Sequence, residues 1–417
     1  MRESVVLLRN GASSASSTGS KPVLHGASDS PPLPLQLTPK SRFAVLGPSA
    51  DDISVQAHTY HGTPSRWVSV LSALREAISG ADADPSAVIG PRVARGCDRF
   101  DSDTSGYDAA IAAARAADVA IFVGGLDQSR EEEDTDRDDL TLPAVQLELL
   151  RRLRTDAPNT TLVVLVISGG AVASPELLEG WGSGSGVTPP DAVLWSSYFG
   201  ESADGIVDVL FGKYDPSGRM PFSVPRANSD VVAIGQGYDL SRGNGSTYRY
   251  LNVAAAPPLV SFGAGLSYAQ AIFAPRLLVV TSNATSTGNV TVEFGSRATI
   301  VAELQRDQRH VAADLPLDVA VQLYGAFVDG KGGCGNAPAE LPPYVPRRQL
   351  LALRKVSLSG VSAAKVQLPL QVDEQGIPGL SRAPFPGWLC IWVGSAQTSS
   401  ALSSVMLRVV GRRRSSA

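Results

Sequence analysis

Val119-Ala120-Ile121-Phe122-Val123, followed by Gly124-Gly125, is an apolar run of strand length cut off by two glycines. A short continuous run rich in β-branched and aromatic residues, bounded by breakers, reads as a strand buried on both faces. Three more runs share the form. Phe43-Ala44-Val45-Leu46 precedes Gly47-Pro48, Leu162–Ile167 precedes Ser168-Gly169-Gly170, and Ala192-Val193-Leu194-Trp195 stands further on. Segments of helical spacing lie between them. Trp67–Ile78 places Val70, Leu71, Leu74 and Ile78 on one stripe, and Tyr107–Ala117 is rich in alanine. Pro143 opens a helix with Leu147, Leu150 and Leu153 on one face; proline suits that first turn because its missing N–H would be unpaired there anyway. Ile206–Phe211 reads as a further helix ending near Gly212. Strands alternating with helices predict an α/β block over roughly residues 40–225, a mainly parallel sheet flanked by helices.

Outward from this block the character changes. After Tyr268 the helical periodicity fades, and Leu277–Thr281, Val290–Phe294, Val319–Tyr324, Ala364–Leu368 and Leu389–Val393 form short strand-like runs separated by turn residues. That pattern predicts an all-β sandwich of immunoglobulin-like type. On the other side, Met1–Asn10 enters directly on an apolar element, and residues 11–34 are rich in Ser, Gly and Pro, as a loop or linker is. The expected division is 1–225 for the α/β sandwich, 226–268 for an irregular connector, 269–412 for the β-sandwich and 413–417 for a short basic tail.

The chain has 417 residues, which suits two or three domains at roughly 100–200 residues each. It is 43% hydrophobic and 18% charged, enough apolar content for a core. A net charge of -4 argues against a nucleic-acid groove, which needs a basic face. No apolar run approaches the ~20 residues of a membrane span, so no membrane partner is expected. Cys97, Cys334 and Cys390 allow one disulfide, no CxxC pair exists, and the four histidines lack ligand spacing; neither a metal nor a cofactor is expected. Met1 leads into Arg2-Glu3 and not into a signal peptide. Sequons at Asn159, Asn244, Asn283 and Asn289 are candidate glycan acceptors.

Four ordered segments carry more specific information. The first is Gly124-Gly125-Leu126-Asp127-Gln128-Ser129-Arg130-Glu131-Glu132-Glu133, then Asp136-Arg137, then Leu140-Thr141-Leu142-Pro143. The second is Ser168-Gly169-Gly170. The third runs from Trp195-x-x-Tyr198-x-Gly200-Glu201 to Pro216-Ser217-Gly218-Arg219-Met220-Pro221. The fourth is Thr247-Tyr248-Arg249-Tyr250 followed by Phe262-Gly263-Ala264-Gly265-Leu266-Ser267-Tyr268. This succession resembles glycoside hydrolase family 3, in its β-xylosidase branch. Each motif alone is modest, and the ordered set is specific. Glu3–Asn10 resembles the entry to the family's second domain, and Arg347-Arg348-Gln349-Leu350 with the later strands resembles its fibronectin type III-like domain.

The resemblance implies a retaining β-glycosidase acting on β-linked xylo- or gluco-oligosaccharides, extracellular or in the cell wall. It also implies that this chain lacks the N-terminal barrel, which bears the nucleophile aspartate and would have to join it in cis or in trans. Retaining hydrolysis needs two carboxyl groups about 5–5.5 Å apart, one of them kept protonated to act as the acid. The family's D-x-S/T-x-E-x-E pattern falls on Asp127, Ser129, Glu131 and Glu133. It puts the acid/base at Glu131, with Glu133 as the alternative; crowding by Glu132, Glu133 and Asp134 would supply the charge repulsion such an acid needs. Asp127, Glu133, Asp136 and Arg137 are weaker candidates for sugar contact or loop shaping, the last two as an expected ion pair. From the residues alone, an acidic run after a strand is most often a solvated loop. Ser168-Gly169-Gly170 lacks the spacing of a phosphate loop and reads as a tight turn. Tyr60-His61-Gly62-Thr63-Pro64 resembles the family's Y-x-G-x-P turn, with Ser65 where the branch often has cysteine. The rival reading is a non-catalytic module that binds glycans or docks on a partner.

Overall fold

The computed structural model describes residues 2–11, 13–14, 31–38, 41–57, 60–79, 93–94, 96–100, 102–135, 137–182, 184–231, 239–269, 271–274, 277–281, 285–293, 295–306, 317–328, 345–358, 361–372, 387–394 and 404–410. The chain divides into two units. Unit 1 comprises Met1–Arg219, Val224–Ser229 and Gly265–Tyr268; unit 2 comprises Met220–Ser223, Asp230–Ala264 and Ala269–Ala417. The stretch 226–268, read as a connector, is thus shared between the two, most of it going to unit 2.

Unit 1 is built on a seven-stranded sheet: β1 (Val6–Asn10), β2 (Ser13–Ser14), β3 (Phe43–Leu46), β4 (Val93–Ala94), β5 (Val119–Gly125), β6 (Thr161–Ile167) and β7 (Ala192–Ser196), in the order β2-β1-β7-β6-β5-β3-β4. The pairs β4/β3, β3/β5, β5/β6 and β6/β7 are parallel. The predicted mainly parallel sheet is therefore present, and its strands are buried on both faces, as their unbroken apolar runs require. Helices α1 (Val70–Ser79), α2 (Tyr107–Arg115), α3 (Ala144–Asp156), α4 (Pro175–Glu179) and α5 (Asp204–Leu210) fill the connections. α1 packs with α5, and α2 with α3.

The first strand is the exception to the parallel pattern. β1 runs antiparallel to β7, pairing Val6 with Trp195 and Asn10 with Ala192. All five of its residues are buried, Arg9 and Asn10 included. Arg9 manages this by donating Nε–H to the Pro190 carbonyl at 2.8 Å and Nη1–H to Leu178 at 3.2 Å, and burial pushes its pKa down to about 10. Asn10 uses its amide as a strand would, exchanging hydrogen bonds with the Leu33 N–H and carbonyl at 3.0 and 2.9 Å. Leu7 also bridges to Leu266, so both ends of unit 1 close on the same edge.

Unit 2 is a β-sandwich. One sheet holds β10 (Thr285–Ser286), β9 (Leu278–Val280), β12 (Ser296–Arg306) and β15 (Ala363–Val372), with β8 (Ala271–Phe273) also on β12. The other runs β11 (Val290–Glu293), β17 (Ser404–Val410), β16 (Gly387–Val393), β13 (Asp318–Val328) and β14 (Gln349–Ser357). Inward residues of both sheets, such as Ile300, Leu368, Leu323 and Leu389, share one core. A second cluster stacks Tyr324 on Trp392 at 5.7 Å and Tyr248 on Phe262 at 4.1 Å. Cys390 is disulfide-bonded and Cys97 is a buried thiol; Cys334 and Asn283 lie outside the described residues.

Candidate active site

β5 ends in two glycines because the sheet leaves no room for side chains there. Gly125 has φ +126, and a Cβ on it would lie 2.0 Å from the Ile167 carbonyl oxygen. Its N–H donates to Gln146 Oε1 at 2.9 Å, and Gln146 Nε2 returns to the Gly125 carbonyl at 2.9 Å. The chain then leaves the C-terminal end of the sheet, where open α/β folds bind ligands, and enters the acidic loop.

Asp127 shapes the start of that loop. Its Oδ1 accepts from Ser129 N at 2.9 Å and Ser129 Oγ at 2.6 Å, while its Oδ2 is ion-paired with Arg99. Glu131 follows, and its surroundings differ from the expected crowd of carboxylates. Glu132, Glu133 and Asp134 are exposed. The Glu131 side chain is only 9% exposed and lies in a cradle of donors. Oε2 accepts from Gly169 N at 2.6 Å and the Tyr198 hydroxyl at 2.7 Å. Oε1 accepts from Gly170 N at 3.0 Å and lies 3.1 Å from Arg137 Nη2. Gly169 leaves room for this approach, since a Cβ there would sit 2.9 Å from the Tyr198 ring; one at Gly170 would meet the guanidinium tip of Arg137 at 2.9 Å. The segment read as a plain turn is an anion cradle whose anion comes from the chain itself. Burial and the Glu131 carboxylate push the Tyr198 hydroxyl far above the usual phenol range.

Arg137 therefore pairs with Glu131 and donates to the Ala171 carbonyl at 2.8 Å; Asp136, its expected partner, lies outside the described residues. Glu133 stands at the loop tip beside Asp134, whose φ of 67° marks the turn. Its carboxylate accepts from the hydroxyl of Tyr60, which is raised above its ordinary pKa by that bond. Tyr60 belongs to the Y-x-G-x-P turn. Where the branch often has cysteine, Ser65 donates through N and Oγ to Glu201 at 2.7 and 3.2 Å, so hydrogen bonds from the third motif hold this turn. A cleft of about 410 Å³ lies alongside, lined by Ile53, Ser54, Ala57, His61, Trp67, Asp127, Gln128 and Ser129. No grouping of His, Cys, Asp and Glu fit for a metal occurs among the described residues, and no described helix is long and apolar enough to cross a membrane.

Residues 24–268 match the Glycosyl hydrolase family 3 C-terminal domain, well over half of the chain. The chain belongs to glycosyl hydrolase family 3. This family 3 chain is 29% identical over 365 residues to Probable beta-D-xylosidase 7 of Arabidopsis thaliana, an alignment covering 84% of the chain and 43% of that protein. It is 33% identical over 180 residues to Exo-1,4-beta-xylosidase xlnD of Aspergillus awamori, covering 42% of the chain and 20% of the relative. The same fold occurs in the GH3 exo-beta-xylosidase XlnD bound to a xylobiose aziridine probe (TM-score 0.69, 22% identity, 98% of this chain and 47% of that one). It occurs equally in the beta-glucosidase from Listeria innocua in complex with isofagomine (TM-score 0.69, 19% identity, 98% and 49%). The family 3 chain thus spans less than half the length of these relatives.

Proposed function

We propose that this chain supplies the acid/base half of a retaining β-glycosidase, of β-xylosidase type, acting on β-linked xylo- or gluco-oligosaccharides outside the cell or in its wall. The nucleophile aspartate and most of the sugar pocket come from a barrel, in cis or in trans, and unit 2 serves as the fibronectin type III-like domain. Within the acidic loop, Glu133 is the acid/base and Glu131 its anchor, which reverses the order expected from the motif. The observation that carries this assignment is the contrast between the two carboxylates. An acid/base must take up and release a proton and reach the glycosidic oxygen. Glu131 has four donors on its two oxygens and little exposure, so an acid proton there has no acceptor to meet. Glu133 is exposed, two residues on, with the Tyr60 hydroxyl at one oxygen.

The test compares Glu133→Gln with Glu131→Gln, each together with the barrel, on dinitrophenyl β-xyloside with azide added. This leaving group needs no proton, so an acid/base variant still forms the glycosyl-enzyme and azide restores turnover. Azide rescue is expected for Glu133→Gln and not for Glu131→Gln; the opposite result returns the role to Glu131. The chain without the barrel is expected to be inactive on aryl β-xylosides, because one carboxyl group cannot hold the reactants in attack geometry.

A further inference from the structure

The acidic loop has a second anchor, outside the motif set. Arg99 is buried, its side chain 7% exposed, and its guanidinium reaches two carboxylates on different loops. Nη1 pairs with Asp127 Oδ2, and Nη2 donates to Asp52 Oδ2 at 2.8 Å, with Ser49 Oγ at 3.3 Å. Asp52 Oδ1 in turn accepts from Ser54 N at 2.9 Å and Ser54 Oγ at 2.6 Å, capping the short turn Ile53–Gln56. Asp127 holds Ser129 in the same way. Both capped turns line the cleft, one through Ile53 and Ser54 and the other through Gln128 and Ser129. The backbone of Arg99 is tied down as well, because Gln146 Nε2 donates to its carbonyl at 2.9 Å and to that of Gly125.

A planar guanidinium can serve two carboxylates in fixed directions; an ammonium is a point charge on a flexible stem. We infer that Arg99 is a positioning residue for the reaction: by bracing Asp52 against Asp127 it sets the spacing of the cleft walls and the course of the loop that presents Glu133 to the leaving-group oxygen. The inference rests on the assignment of Glu133 as acid/base. Loss of the planar fork removes the fixed link between the two carboxylates, and the loop shifts away from the Asp52 turn.

The experiment uses the complete glycosidase, chain and barrel together, and two substrates that differ in their need for a proton. Phenyl β-xyloside requires protonation of the departing oxygen; dinitrophenyl β-xyloside does not. Arg99→Lys is expected to lower kcat/KM on the phenyl substrate by about tenfold or more, within the range that general acid catalysis supplies, and to leave the dinitrophenyl substrate within about threefold. Asp127→Asn removes the charge at the other end of the bracket and is expected to show the same selective loss should Arg99→Lys fold poorly. Equal losses on both substrates in both variants would mean a merely structural role and overturn the inference. Glu133→Gln, run alongside, separates the two claims: if its own loss is equal on both substrates, the acid/base assignment fails independently of the result at Arg99.

Discussion

Glu131 and Glu133 are two residues apart, and their surroundings are opposite. The cradle around Glu131 explains three motifs at once: Gly169 leaves room, Tyr198 donates, and Arg137 neutralises. Tyr198→Phe removes one donor from a nearly buried carboxylate. It is expected to cost about 1.5–3 kcal/mol of stability, read as a lowered denaturant midpoint. Gly169→Ala is the sharper perturbation, because the new methyl would meet the Tyr198 ring at 2.9 Å and Glu131 Oε2 at 3.2 Å. It is expected to expel the carboxylate and raise hydrogen exchange across residues 127–135; unchanged exchange would show that the cradle is not what orders the loop. None of this was legible in the sequence. An acidic run shows its charge, but three of the four donors that select one carboxylate, Gly169, Gly170 and Tyr198, lie just after β6 and β7 and meet it only through the fold.

Among elements, the buried parallel strands were the most readable. β3, β5, β6 and β7 lie where their apolar runs begin and end, and α2 follows its spacing; α3 forms as read, but it buries Val145, Leu149, Leu150 and Leu153, and Leu147 of the expected face is only half-buried. What escaped has identifiable causes. β12 carries Arg297, Glu303 and Arg306 among its apolar residues, and β14 is an edge strand with half-buried and exposed residues and no alternation. β1 was read as apolar, but its antiparallel pairing with β7 depends on the Arg9 and Asn10 side chains finding backbone partners. At this scale Gln146 is the element-to-element tie, fully buried and bonded to Gly125 on both sides and to Arg99. Gln146→Leu keeps the volume and orphans three backbone groups. A loss of about 3 kcal/mol or more is expected in denaturant unfolding, from roughly 1–3 kcal/mol for each buried group left unpaired.

For the molecule as a whole, alkaline pH is the informative stress. Tyr107 is pushed up to about 12 by burial, and Tyr268, Tyr198 and Tyr324 are also raised, burial being the leading cause in each. A raised folded-state pKa means that the fold favours the protonated phenol. The stability it gives is complete below the ordinary phenol pKa of about 10 and is lost as pH rises through 10 toward 12 and beyond. Tyr107 contributes to that loss between pH 10 and 12. Tyrosinate absorbance is therefore expected to appear in two stages, the second coinciding with loss of the circular dichroism signal. A single stage near pH 10 with the fold intact would show that these hydroxyls are accessible.

The closure of unit 1 has a consequence for how the protein is made. Its sheet needs β1 from the start of the chain, and its edge is finished by Gly265–Tyr268, after part of unit 2 has already been encoded. A ribosome releases residues in order, so β1 emerges long before β7 exists to receive it. During that interval a strand whose five residues are all buried in the finished fold has no partner. Pairings of such long range form slowly and leave apolar surface open while they wait. Nascent chains arrested before Tyr268 are thus expected to stay protease-sensitive and chaperone-bound, and those extended past it to become resistant in one step.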